Sequence, residues 1–324
     1  MRLASRFAIR RRSSAALALL ALIVVPLVSR AQANSGALDL TYPIGARATG
    51  MGTAFVAEQG SEAAWWNPAG LARMSKPEFA LDHFATFPIT GDAASFILPA
   101  KPIGVFAITA RIFDYGLIEE RDSLNNLLGD FPNRTIVLGA SFAADFGSSF
   151  DAGVTYHLYR GQAGLTPSYG TSAVDAGVQY RPAGAMPLRI GFEVRNFGLP
   201  LQVHDKPQSD ELPTRLQFGA SYDPTFAQLP KELSTRMTAE LVSDPKLENL
   251  ELRVGAQLSY LAGPSHLLVR AGYVKQQVSS ALAGPSLGLG LTSGRVQLDL
   301  ARIFESFSTG LGTAPTYISI RVGL

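Results

Sequence analysis

Four histidines and no cysteine limit the metal and nucleophile chemistry open to this 324-residue chain. Disulfides, thiolate metal sites and a lipid-anchored N-terminal cysteine are excluded by that count. His83, His157, His204 and His266 lack the mutual spacing of a zinc site. No G-x-S-x-G, H-E-x-x-H or phosphate-loop motif occurs. Gly288-Leu-Gly-Leu-Thr-Ser-Gly294 has the glycines of a nucleotide loop, but it alternates like a strand and its turn. Glu119-Glu120-Arg121-Asp122 reads as a solvated loop, with a surface-binding feature as the alternative. No catalytic set, metal site or cofactor site is expected.

What recurs instead is charge at even spacing. Arg189, Glu193 and Arg195, then Arg215, then Arg236 and Glu240, then Glu251 and Arg253, stand two or four residues apart within their segments. In an extended strand that spacing puts each set on one face. Arg295 and Asp299 are expected on the same row. His157, on a polar face, is expected to form hydrogen bonds there. The chemistry open to such a row is ion pairing across an enclosed polar interior.

The elements that carry the row alternate with period two. Val154, Tyr156 and Leu158 stand opposite Thr155 and His157; Leu250, Leu252 and Val254 stand opposite Glu251 and Arg253. Fourteen strands are expected near 77–87, 91–100, 103–114, 134–145, 149–160, 171–181, 187–197, 213–223, 233–243, 249–260, 266–276, 284–292, 294–303 and 315–323. Their lengths suit a tilted membrane strand of roughly 9–11 residues. Odd-numbered connections such as 116–133, 161–170, 198–212 and 304–314 are long. Even ones such as Gly147-Ser148 are tight, with 223–232 an exception. Long loops on one side and short turns on the other are the outer-membrane pattern. The apolar row is expected to face lipid and the charged row the lumen. Glycines on the polar row leave room inside for a plug.

The first 33 residues read as an address. Arg2, Arg6, Arg10, Arg11 and Arg12 precede an apolar run from Ala15 to Val28, and Ala31-Gln32-Ala33 has the small-x-small form of a cleavage site. The run is shorter than the roughly 20 residues of a spanning helix. These arginines and Arg30 also account for the basic balance. Without the six of them, 22 basic residues face 26 acidic ones, a net of −4. Nucleic acid is therefore not expected as a partner.

Between the leader and the first strand, residues 34–76 lack clean alternation and are rich in small residues. Asn67-Pro68 reads as a turn opening a short helix. Gly45-Ala-Arg-Ala-Thr-Gly-Met-Gly52 and Ala63-Ala-Trp-Trp-Asn-Pro-Ala-Gly-Leu71 resemble the N-terminal signature of the PorV/PorQ family, which is related to the FadL long-chain fatty-acid channels. The resemblance continues through 174–182, 188–198 and 212–222. It implies a barrel of about fourteen strands with a hatch in the lumen, and it makes Arg47, Gly50, Gly52, Trp65, Trp66, Asn67, Pro68 and Gly70 hatch or gating candidates. The chain departs from the usual aromatic end of outer-membrane barrels, because its last residue is Leu324.

The expectation is an all-β transmembrane barrel in a Gram-negative outer membrane, with a signal peptide at 1–33, a hatch at 34–76 and a barrel at 77–324. The resemblance implies a role in protein secretion, with secreted cargo or type IX secretion components as partners beside the outer-membrane lipid. The alternative is a FadL-like channel for hydrophobic small molecules. A structural envelope role and a soluble β-protein are the remaining readings.

Overall fold

The computed structural model describes residues 36–324 apart from 87–88, 166–167, 185, 203–208, 227–228, 246–247, 277–282 and 305–313. The leader, its cleavage near Ala33 and His204 lie outside the described residues.

Fourteen antiparallel strands make one closed ring: β1 (Glu78–Thr86), β2 (Ile89–Ala100), β3 (Gly104–Arg121), β4 (Leu127–Phe146), β5 (Phe150–Ala163), β6 (Tyr169–Tyr180), β7 (Leu188–Gly198), β8 (Arg215–Tyr222), β9 (Leu233–Asp244), β10 (Asn249–Ala262), β11 (Ser265–Gln276), β12 (Gly284–Ser293), β13 (Val296–Ile303) and β14 (Thr316–Gly323). Each strand pairs with the next, and β14 closes on β1 with Gly323 opposite Glu78 and Thr316 opposite Ala85. Closure leaves no sheet edge with unpaired backbone groups. A further two-residue hairpin, Leu201–Gln202 with Ser209–Asp210, extends β6 above the ring.

The side chains divide as the alternation requires. On β5, Val154, Tyr156 and Leu158 are exposed while Asp151, Thr155, His157 and Tyr159 are buried. On β10, Leu250, Leu252 and Val254 are exposed while Glu251 and Arg253 are buried. The parity changes between strands, so that Glu240 on β9 and Arg270 on β11 face inward at even positions. Outward residues such as Ile108, 63% exposed, and Leu289, 58% exposed, belong to a continuous apolar belt. Water-soluble monomers rarely carry a contiguous apolar patch above a few hundred Å². No helix among the described residues is long and apolar enough to cross a membrane.

Two expectations need correction. The third connection is not a long loop from 116 to 133. β3 and β4 continue as a hairpin to Arg121 and Leu127, past a register shift between Asp114 and Leu117. Beyond the apolar belt the hairpin mixes Leu117, Ile118, Leu127 and Leu128 with Glu119, Glu120 and Asp130 in no strict alternation, so the ladder persists where the period-two signal stops. At its tip Asp122 accepts hydrogen bonds from the Asn126 side chain, the Asn126 N–H and the Leu124 N–H, which hold its carboxyl below the ordinary range. The second correction is Arg295, which sits exposed in the tight turn before β13 and not on the inward row.

Residues 36–75 run against the inward face of the ring. They form short turns of helix at Leu38–Thr41, Ala46–Gly50, Ser61–Trp65 and Pro68–Leu71. Asn67 opens the last of these: its Oδ1 accepts the Ala69 N–H at 3.0 Å, and Pro68 takes the first position, where no backbone donor is needed. Ala46, Ala48, Met51, Phe55, Ala63 and Leu71 have no exposed surface. Small side chains permit this density. Gly50 faces Gly288 on β12 closely enough that a Cβ on Gly50 would lie 2.9 Å from the Gly288 Cα.

Candidate functional site

The buried faces of the ring and of the N-terminal segment meet in three ionic clusters and one aromatic cluster. A buried charge without a partner costs several kcal/mol, so these clusters fix how the segment sits against the wall.

The first cluster centres on Glu58, in the segment. Arg47 of the same segment pairs with it, Arg236 of β9 donates to it at 2.9 Å, Ser221 of β8 donates at 2.6 Å, and Arg189 of β7 lies 3.6 Å away. Asp223 shares Arg236, at 2.6 Å, and Arg189, at 3.5 Å. Arg189 also donates to the Ala57 carbonyl at 3.2 Å. Arg47 stacks over Phe55, its guanidinium carbon 4.9 Å from the ring centre.

The second cluster is built by β7–β10. Glu240 accepts the Phe55 and Val56 N–H groups, each at 2.8 Å, and Arg253 at 3.2 Å. Arg253 also donates to Glu251 at 2.6 Å, and Arg215 bridges Asp244 at 3.1 Å and Glu251 at 3.6 Å. Arg195 donates to the Trp65 carbonyl at 2.8 Å and lies 5.4 Å over the Trp66 ring, with Arg253 at 5.9 Å. Trp66 in turn donates its indole N–H to the Ile44 carbonyl at 3.1 Å. Glu193 is fully buried, and both its oxygens lack a hydrogen-bond partner among the described residues.

Of the third cluster, the sequence placed only Asp299 on the inward row. Asp299 pairs with Arg270 at 2.6 Å and with Arg321, and Arg321 reaches Glu62 of the segment at 3.0 Å. Arg270 and Arg321 stand on the polar rows of β11 and β14, so the same alternation could have found them. Glu58 and Glu62 had no such signal, because their segment has no period. Arg111 was also missed; it is buried 5.7 Å from the Phe113 ring centre and forms no ion pair among the described residues. His157 makes the expected inward hydrogen bond, to Asp175 at 2.8 Å.

All eight residues singled out in the segment meet the wall or shape the contact. Gly52 adopts φ +62°, and a Cβ there would lie 2.5 Å from the Val254 carbonyl oxygen. Asn67 donates to the Val56 carbonyl at 2.7 Å, and Gly70 accepts the Gly60 N–H at 3.2 Å through its carbonyl.

The aromatic cluster occupies the sector of β1, β3 and β14. Phe84 stacks on Tyr317 at 5.4 Å between ring centres and packs 5.8 Å from Phe113. Tyr42 of the segment closes the group, 5.9 Å from Phe113 and 6.2 Å from Phe84. Ile303 and Ala301 of β13 belong to the same buried core. The inward face is thus polar along β6–β10, while on β13, β14, β1 and β3 the apolar residues gather toward the long-loop rim and the charges Asp299, Arg321, Asp82 and Arg111 lie deeper on the same strands.

Charge and aromatic packing together hold the segment against the wall. No group of three or more histidines and carboxylates among the described residues is disposed to hold a metal ion. Neither the protein-family models nor the curated proteins give a match to this sequence. Solved structures do share its fold. The TodX monoaromatic hydrocarbon channel deltaS2 mutant aligns with TM-score 0.55 and 13% identity over 86% of this chain and 97% of that one. The toluene transporter TbuX of Ralstonia pickettii gives 0.53 and 14% over 86% and 98%. A Pseudomonas aeruginosa FadL homologue gives 0.50 and 10% over 87% and 98%.

Proposed function

We propose that this barrel stands in the outer membrane of a Gram-negative bacterium and passes hydrophobic small molecules across it. The reading takes residues 1–33 as a cleaved leader, 34–76 as a hatch and 77–324 as the pore wall. The apolar belt lies in the hydrocarbon, and the rim with the longer connections faces outward, as in barrels of this class. The observation that carries the reading is the inward aromatic sector of Tyr42, Phe84, Phe113 and Tyr317. A lumen for hydrophilic solutes has no need of such a wall, and an apolar solute gains by leaving water against it. Likeness in fold to structures described as hydrocarbon channels and toluene transporters supports it. The secretion role implied by the PorV/PorQ resemblance draws no comparable support.

The solute would enter between the outer loops and meet Tyr42 against the wall. Passage then requires the segment to shift from that sector, while the Glu58 and Glu240 clusters on β7–β10 hold the rest of it. The test is uptake of labelled toluene by cells that depend on this protein for outer-membrane passage. Phe113→Asp should cut uptake severalfold with the barrel still folded. Uptake unchanged both in that variant and in a strain without the protein would overturn the reading.

A further inference from the structure

The outer wall is not the same at its two rims. On β11 the outward row runs Leu267, Val269, Ala271, Tyr273 and then Lys275; on β13 it runs Val296, Leu298, Leu300 and then Arg302. On β5, Val154, Tyr156 and Leu158 lead to Arg160, and on β4 Ile136 leads to Arg134. All four cations are exposed and stand at the long-loop rim, one outward step past the apolar belt. Arg160, Lys275 and Arg302 form no ion pair among the described residues. The two outward acids at that level are already matched, Asp92 by His83 at 2.7 Å and Asp114 by Arg134 at 3.8 Å.

At the other rim the outward rows end in Phe146, Phe150, Tyr180, Tyr222 and Tyr260, with the Phe150 and Tyr180 rings 4.7 Å apart. No outward-facing strand residue described at that rim is charged. Aromatic rings suit an interface of neutral headgroups, whereas unmatched cations at the hydrocarbon boundary are favoured only where anionic headgroups reach them.

We propose that the long-loop rim binds a phosphate-bearing lipid of the facing leaflet, its acyl chains on the belt and its phosphates on the cations. Lys275 and Arg302 form the principal site. Between them lies β12, whose outward Pro285, Leu287 and Leu289 give an apolar floor; Leu287 stands opposite Arg302 and Pro285 opposite Tyr273. Arg160 and Arg134, on neighbouring strands with Arg160 opposite Ile136, form a weaker one, because Asp114 already engages Arg134. A lysine and an arginine separated by one strand can each take one phosphate of a diphosphorylated headgroup. The inference rests on the membrane placement proposed above.

The test places the full mature chain in nanodiscs of zwitterionic phospholipid and titrates in lipid A, a diphosphorylated acylated disaccharide. Binding is read by native mass spectrometry on wild type, K275Q/R302Q, R134Q/R160Q and the opposite-rim control K101Q/R295Q. With about fivefold affinity per cation, K275Q/R302Q should weaken binding more than tenfold, R134Q/R160Q less, and the control not at all. Inorganic phosphate should compete poorly, because it lacks the chains. Equal binding by all four proteins, or full displacement by millimolar phosphate, would overturn the lipid site and leave the membrane placement standing. Failure of the folded chain to enter nanodiscs would overturn both.

Discussion

Glu240, on the ninth strand, accepts the Phe55 N–H at 2.8 Å and so fastens the N-terminal segment to the wall through a single carboxylate. The same oxygen takes the Val56 N–H, while the other oxygen holds Arg253. Two backbone donors of a non-repetitive segment are thereby satisfied from a strand far away in the chain. Glu240→Ala leaves both donors and part of Arg253 without partners, which should destabilise the segment by about 2–4 kcal/mol. Hydrogen exchange at Phe55 and Val56 should accelerate, with strand amides unchanged. Equal protection in wild type and variant would show that Glu240 does not fasten the segment.

Glu58 concentrates three arginines on one buried carboxylate. Glu58→Gln keeps the shape but removes the charge, leaving Arg47, Arg189 and Arg236 facing each other with Asp223 alone among the acids named in that cluster. The folded barrel should lose about 3–5 kcal/mol, the scale of a broken buried pair. The temperature at which the folded band disappears on a gel should fall. Arg236→Gln, which leaves Glu58 with Arg47, should have a smaller effect.

Gly288 lets the Ala46–Gly50 helix approach β12. A Cβ at Gly288 would lie 3.0 Å from the Gly50 Cα. Gly288→Val adds bulk against backbone that cannot rotate away, at a cost of about 1–3 kcal/mol. The strain should appear as protease sensitivity at 46–52 with the strands intact. Resistance equal to wild type would mean that the segment adjusts without loss.

Removal of residues 36–74 should leave a barrel that still folds, since the backbone ladder of the fourteen strands closes on itself round the ring. Permeability to hydrophilic dyes should rise and toluene uptake should lose its saturation. A deletion that changed neither would remove the hatch from the mechanism.

The strand count, the two rows and the sorting of charge inward follow from the sequence alone. Each depends on period two, which is a local property of an extended backbone: Glu251 and Arg253 must share a face whatever the strand packs against. The tertiary structure alone decides which inward charges meet. Glu58 and Arg236 stand 178 residues apart, and their contact depends on ring closure, the stagger of the strands and the path of a segment with no period. The hairpin beyond Asp114 was hidden for a related reason, because adjacent pairs such as Leu117-Ile118 and Leu127-Leu128 put apolar residues on both faces and leave no alternation to read. Local periodicity tells a side chain which face it joins, while long-range pairing is fixed only when the ring shuts round its contents.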